Sequence, residues 1–224
     1  MPIERTIKLY QFDELDDRAK ERAREWFRSV GGNTDDESWY EHIYEDFEEV
    51  CECLGVELDT HTVRLMGGGT RQKPDISWSG FWSQGDGACF NGVYRTYINA
   101  SEAIRKYAPQ DTELHGIADR LVELSAAYPE GVFVRVKSSG RYSHANTMHV
   151  DRAEANEVYN EETEEWCEPE LTDEDEFLGC LRDLADWLYS SLNKTYEWLE
   201  SDEQIDESIR ANEYTFLEDG ARHD

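Results

Sequence analysis

The chain has 224 residues, 38% hydrophobic and 12% aromatic, enough apolar material for one sizeable core and too much for a long disordered tail. Its 51 acidic and 22 basic residues leave a formal charge of −29, which opposes general affinity for nucleic-acid phosphates or anionic lipid surfaces. No stretch approaches the roughly 18 apolar residues of a membrane span, the N-terminus lacks a signal-peptide core, and the five cysteines (Cys51, Cys53, Cys89, Cys167, Cys180) form no CxxC pair, so the chain reads as one cytoplasmic domain, 1–224, with reduced thiols.

Residues 3–12 alternate as an opening strand, with Asp13 as N-cap of a helix whose face carries Leu15, Ala19, Ala23, Trp26, Phe27 and Val30. Gly31 and Gly32 end it. A second amphipathic helix places Trp39, Tyr40, Ile43, Phe47, Val50 and Leu54 on one face and stops at Gly55. Residues 56–66 have the β-branched content of a strand, and Gly67, Gly68 and Gly69 mark a tight or flexible turn. A hairpin follows, entering over 75–79, turning at Gly85-Asp86-Gly87 and returning over 88–97. Leu114, Ile117, Ala118, Leu121 and Leu124 share a helix face, then 132–137 and 147–152 form a second hairpin. From Thr172, read as an N-cap, Phe177, Leu181, Leu184, Leu188, Leu192, Tyr196 and Leu199 define a long helix, followed by a short helix over 205–211 and a last strand over 214–217. Strands that arrive as hairpins, without a steady βαβ rhythm, predict an α+β fold: an antiparallel sheet covered by amphipathic helices.

The two hairpins echo each other: Ser79-Gly80-Phe81-Trp82-Ser83 in one, Ser139-Gly140-Arg141-Tyr142-Ser143 in the other. One reading is structural, with Gly80 and Gly140 permitting bends while Trp82 and Tyr142 fill core. The other is that the bends lie side by side and form a pocket. Local charge favours the second: residues 60–110 hold six bases against three acids, and residues 131–152 four bases against Asp151. Basic, aromatic hairpins in so acidic a chain suit an anionic nucleotide-type small molecule. Trp82 and Tyr142 would stack on a base, Arg71 and Arg141 would hold phosphate, and Gln84, Asp86 and His144 would read polar edges. Arg side chains pairing with helix carboxylates would account for the same charge pattern.

Residues 153–181 are opposite in character, with twelve Asp or Glu and no Lys or Arg, and read as a solvated loop or a docking surface for a basic partner. Catalytic motifs are absent: no GxSxG, HExxH, Walker loop or strand followed by GxGxxG. His144 and His149 could join Asp86 in a metal or acid–base site only if a bend intervened, since their odd spacing sets them on opposite faces of an extended strand. Cys51 and Cys53 point about 200° apart on a helix, which disfavours joint chelation. No metal, cofactor or catalytic residue is assigned.

Three segments carry a resemblance: Tyr10-Gln11-Phe12-Asp13-Glu14-Leu15, the run Ser79-Gly80-Phe81-Trp82-Ser83-Gln84-Gly85-Asp86-Gly87-Ala88, and Ala211-Asn212-Glu213-Tyr214-Thr215-Phe216. In these the chain resembles a family of uncharacterised bacteriophage proteins often loosely labelled antitoxins of toxin–antitoxin systems. The resemblance implies a phage setting in a host cytoplasm and, with the basic aromatic hairpins, a non-enzymatic counter-defence protein that sequesters a nucleotide-derived immune signal. The alternative is an acidic protein–protein inhibitor, antitoxin-like or DNA-mimicking, that docks on a basic host protein. Either is compatible with a homo-oligomer, and whether the paired hairpins come from one subunit or two stays open.

Overall fold

The structure, a computed structural model, describes residues 6–35, 38–160, 164–167 and 169–223. In chain order these form β1 (Tyr10–Gln11), α1 (Asp17–Ser29), α2 (Ser38–Leu54), β2 (Val56–Leu58), β3 (Thr60–Arg64), β4 (Thr70–Pro74), β5 (Ile76–Ser79), β6 (Gly87–Phe90), β7 (Gly92–Arg95), α3 (Ala100–Tyr107), α4 (Thr112–Ser125), β8 (Val132–Ser138), β9 (Met148–Ala155), β10 (Val158–Asn160), β11 (Glu165–Cys167), α5 (Glu174–Leu199), α6 (Asp202–Ala211) and β12 (Thr215–Phe216). The fold is α+β with antiparallel sheets. Its contacts resolve into two compact units, residues 1–42 with 192–224, and residues 43–191.

In the first unit, Asp16 caps α1 by accepting from the Ala19 amide at 2.8 Å. The helical spacing then turns Ala19, Ala23 and Phe27 inward against Ile205 and Ile209 of α6, with Phe12, Leu15 and Phe216 completing the cluster. Arg24 reaches Asp206 through two bonds of 2.7 and 2.8 Å, clasping α1 to α6. β1 and β12 pair antiparallel, Tyr10 opposite Phe216.

Three expectations change here. The strand expected over 3–12 shrinks to Tyr10–Gln11, because residues 12–14 turn into a 3-10 helix in which the Glu14 carboxylate accepts from the Gln11 amide at 2.8 Å; residues 3–5 lie outside the described residues. Asp13 is not the cap, because its carboxylate is engaged by Arg210 at 2.9 Å and the helix starts three residues further on. Val30, expected on the core face, falls beyond the last turn of α1 and is exposed.

The second unit is built on a four-stranded sheet ordered β2-β7-β8-β9. Val132, Val134 and Val136 alternate inward from β8, and Tyr94 of β7 is fully buried, its hydroxyl 2.8 Å from Ser125 Oγ and its ring 5.6 Å from Phe177. The apolar faces of α4 (Leu114, Ile117, Ala118, Leu121) and of α5 (Phe177, Leu181, Leu184, Leu188) are buried as their periodicity requires. Phe47 of α2 meets the rings of Phe90 and Trp187.

The expected strand over 56–66 breaks at Asp59, whose carboxylate takes Arg135 at 2.8 and 3.0 Å and whose amide bonds the Asn91 carbonyl; β2 joins the main sheet while β3 leaves to pair with β4 as a separate ribbon. The return strand over 88–97 likewise breaks at Asn91, whose side chain bonds Asp75 and the Ser138 amide, both at 2.6 Å. Thr172 does not cap α5: its hydroxyl lies against Tyr128 and Asp173, and the Asp173 carbonyl accepts the first helical bonds, from Glu176 and Phe177. Within the acidic 153–181 segment, β10 and β11 pair antiparallel.

Candidate functional site

β5 and β6 meet at the pair Ser79 and Gly87, so residues 80–86 must reverse the chain. The Asp86 carboxylate organises that bend by accepting from the amides of Trp82 (3.0 Å) and Ser83 (2.6 Å), and Gly85 supplies the left-handed turn at φ +96°. In the second bend, between β8 and β9, His144 Nδ1 accepts from the Asn146 amide at 3.0 Å, and the Thr147 hydroxyl donates to the His144 carbonyl at 2.7 Å. With Nδ1 so used, a neutral His144 ring carries its proton on Nε2.

The two bends are in contact. Ser79 Oγ donates to the Ser143 carbonyl at 3.4 Å, and Gly87 lies so close to His144 that a Cβ there would stand 2.9 Å from its Cδ2 and 3.0 Å from its Cα. A Cβ on Gly85 would reach the Tyr142 ring at 3.8 Å. Beneath them, α5 supplies a floor. Tyr189 donates its hydroxyl to the Gly80 carbonyl at 2.9 Å, and its ring meets Phe81, itself stacked on Trp78 at 5.1 Å. One turn earlier lies Asp186; partial burial pushes its carboxyl above the ordinary value, and the nearby His144 opposes that shift. Arg182, a further turn back, donates to the Met148 carbonyl at 2.6 Å.

Of the residues singled out from the sequence, Trp82, Gln84, Asp86, Arg141, Tyr142 and His144 come from these two bends. Trp82 is 80% exposed and Tyr142 61%, so neither fills the core. Gln84 and Arg141 are also exposed, and Arg141 makes no hydrogen bond or ion pair with any described residue. Asp86 Oδ2 is occupied by backbone amides, which makes that residue the bend's anchor. Arg71 sits elsewhere, on β4 opposite Val63 and in the field of Glu48 on α2. His149 is separate from His144, exposed on β9 with Nδ1 3.4 Å from Ser139 Oγ.

Tyr189, Asp186 and Arg182 were not singled out from sequence. Their signal was a polar and aromatic stripe at i, i+4 and i+7 on a helix whose leucines drew attention to the opposite face.

The two touching bends thus carry two exposed rings, Trp82 and Tyr142, the exposed amide of Gln84 and guanidinium of Arg141, and the half-buried imidazole of His144. Among the described residues no group of three His, Cys, Asp or Glu is placed to hold a metal ion. A cleft of about 800 Å³ lies in the first unit, lined by Asp16, Arg18, Glu21, Arg22 and Glu218 among others, far from this chemistry in composition. No helix among the described residues is long and apolar enough to cross a membrane. No curated protein and no solved structure matches the chain. Residues 39–202, which include both bends and their α5 floor, match a family model described as a domain of unknown function, DUF8835, and since that match spans more than half of the sequence, the chain belongs to that family.

Proposed function

We propose that the chain acts by binding and that its paired bends take an anionic nucleotide-type small molecule. A base ring stacks on Trp82 or Tyr142, Arg141 holds phosphate, and Gln84 with His144 Nε2 reads polar edges. The observation that carries this reading is the meeting of the bends at Gly87 and His144 with two large rings left in solvent beside a guanidinium. Stacking contributes about 1–3 kcal/mol per base, and an Arg–phosphate pair is charge-assisted, so one small ligand could use every outward group here. The surrounding charge of −29 disfavours a long polyanion much more than a ligand with one or two phosphates. The resemblance of the first bend's motif to bacteriophage proteins gives the setting, sequestration of a host immune signal in the host cytoplasm without turnover.

The test is mass spectrometry of small molecules released by heat from the full chain after incubation with cyclic dinucleotides and ADP-ribose derivatives. One unaltered nucleotide is expected, lost in the Trp82→Ala, Arg141→Ala double variant, whose melting point stays unchanged because both side chains are exposed. A chemically changed product would make the protein an enzyme, and a chain that retains nothing would end the nucleotide reading.

A second reading, docking of a basic protein on the acidic segment, is favoured by one observation: Tyr159 and Trp166, ring centroids 5.3 Å apart, are exposed there. That contact should weaken steeply with salt and disappear when Glu164, Glu165 and Glu170 are reversed in charge, whereas nucleotide retention should survive both.

A further inference from the structure

The polar groups that α5 sets beneath the paired bends are used unevenly. Tyr189 is bolted to the first bend through the Gly80 carbonyl, and Arg182 to the end of the second through the Met148 carbonyl at 2.6 Å. Helix rise sets these two anchors about 10 Å apart along the axis, with Asp186 between them, close to the seam where Gly87 meets His144. Arg182 and Asp186 have the spacing of a helical ion pair, yet no bond joins them, and among the described residues no donor reaches the Asp186 carboxylate. His144 is near, but its Nδ1 accepts from the Asn146 amide and neither ring nitrogen bonds the carboxylate. The Asp186 side chain is exposed, so a ligand can reach it, while partial burial removes some of the water that would otherwise serve it. It is an accessible acceptor short of donors.

A carboxylate repels phosphate, so a nucleotide lying across the bends turns its base toward Asp186 and its phosphate toward Arg141. The bases differ in what they then offer. Guanine presents two adjacent donors, N1–H and N2–H, beside the O6 acceptor, and a carboxylate accepts both donors in parallel. Adenine and cytosine present one amino group beside a ring nitrogen whose lone pair faces the carboxylate, and uracil sets its single N–H between two carbonyl oxygens. Asp86 is less free to discriminate, because its Oδ2 already takes the amides of Trp82 and Ser83. We infer that Asp186 selects the base, accepting from N1–H and N2–H of a guanine-type ring while His144 Nε2–H donates to O6. This rests on the nucleotide reading above and narrows it to guanine-bearing ligands.

Equilibrium dialysis of the full chain against cyclic dinucleotides that differ only in base, carrying guanine, hypoxanthine or adenine, reads the selection. The guanine compound is expected to bind about 5- to 150-fold more tightly than the adenine one, the range that a bidentate pair to a base edge confers. Hypoxanthine, which lacks the 2-amino donor, should fall between them. Asp186→Asn should fold, the side chain being exposed, and it exchanges a pair of acceptors for one donor and one acceptor. The variant should therefore lose the guanine preference and shift toward adenine. Trp82→Ala should weaken all three compounds alike, because stacking is indifferent to the edge of the base. A residue that only shaped the bends would do the same, so the change in ratio is what marks Asp186 as the selector. Equal affinity across the series, an adenine preference in the unaltered chain, or a guanine preference that survives Asp186→Asn would overturn the inference and leave the nucleotide reading standing. So would retention of an ADP-ribose derivative by a chain that takes up none of the three. A chain that takes up no nucleotide at all would end the nucleotide reading and this inference with it.

Discussion

Gly87 sets how closely the two bends approach, because the space a side chain would need there is filled by His144, backbone included. Gly87→Ala should therefore cost about 1–3 kcal/mol, the usual range for overpacking, and loosen the nucleotide face with it. Urea denaturation with a ligand-retention assay measures both, and an unchanged midpoint would show that the bends can part freely. Asp186 supplies a pH-dependent counterpart. Burial raises its folded carboxyl above the unfolded value, so the folded state holds the proton more tightly and loses stability as pH rises from the unfolded value through the folded one. Asp186→Asn should raise the melting temperature at neutral pH, and the gain should vanish once acid protonates the carboxyl in both states. The gain is small, because the side chain retains solvent contact. The outward groups of this site were legible in sequence because the Ser-Gly-x-aromatic-Ser pattern occurs twice. Tyr189 and Asp186 were not, since only folding brings residues about a hundred positions away to the Gly80 carbonyl.

Among the elements, α4 shows how a cap can hold more than its own helix. Asp111 Oδ1 accepts from the amides of Glu113 and Leu114, while Oδ2 accepts from Trp187 Nε1 of α5 at 2.8 Å. The Asp16 carboxylate caps α1 through the Ala19 amide alone among the described residues. Asp16→Ala should cost about 1 kcal/mol, the ordinary value of a lost cap. Asp111→Ala should cost about 2–3 kcal/mol, because the indole N–H of the buried Trp187 loses its acceptor as well. Equal costs, read by thermal unfolding, would show that the indole finds another partner. Helices α1, α2, α4 and α5 were legible because their apolar spacing was decided by burial on one face. The strand breaks at Asp59 and Asn91 were less so: each residue leaves the ladder to bond a side chain or amide distant in sequence, Arg135 in one case and Ser138 in the other. The β10–β11 hairpin was hidden by its glutamates, whose charge reads as loop while the cross-strand pair of Tyr159 and Trp166 supplies the local apolar contact.

For the molecule as a whole, 51 acids against 22 bases mean that ion pairing cannot exhaust the carboxylates, however well placed each Arg is. Two electrostatic effects then oppose one another. Pairs such as Arg105 with Asp119 at 2.6 Å and Arg120 with Asp183 at 2.6 Å weaken with salt, whereas repulsion among the surplus carboxylates is relieved by it. Exposed pairs contribute about 0–1 kcal/mol each, and the surplus charge acts between many groups at once, so relief should win. The melting temperature is expected to rise as sodium chloride goes from about 0.01 M, where the Debye length is about 30 Å, to about 0.15 M, where it is about 8 Å. Acid should separate the same two effects. Glu48 and Asp186, whose folded carboxyls are raised chiefly by burial, take up protons first, so stability should rise slightly as pH falls from neutral through their raised folded values toward the unfolded ones. Asp119, held down to about 2 by Arg105 and Ser101, and Asp13, Asp151 and Asp219, lowered chiefly by bonds to Arg210, Lys137 and the Ala221 amide, have folded values below their unfolded ones. Their contributions are complete above the unfolded value and disappear only as pH falls through the depressed ones, so the curve should turn down in strongly acidic solution. A melting temperature that declines from the first addition of salt, with no rise on mild acidification, would mean that the ion pairs outweigh the surplus charge in holding this chain folded.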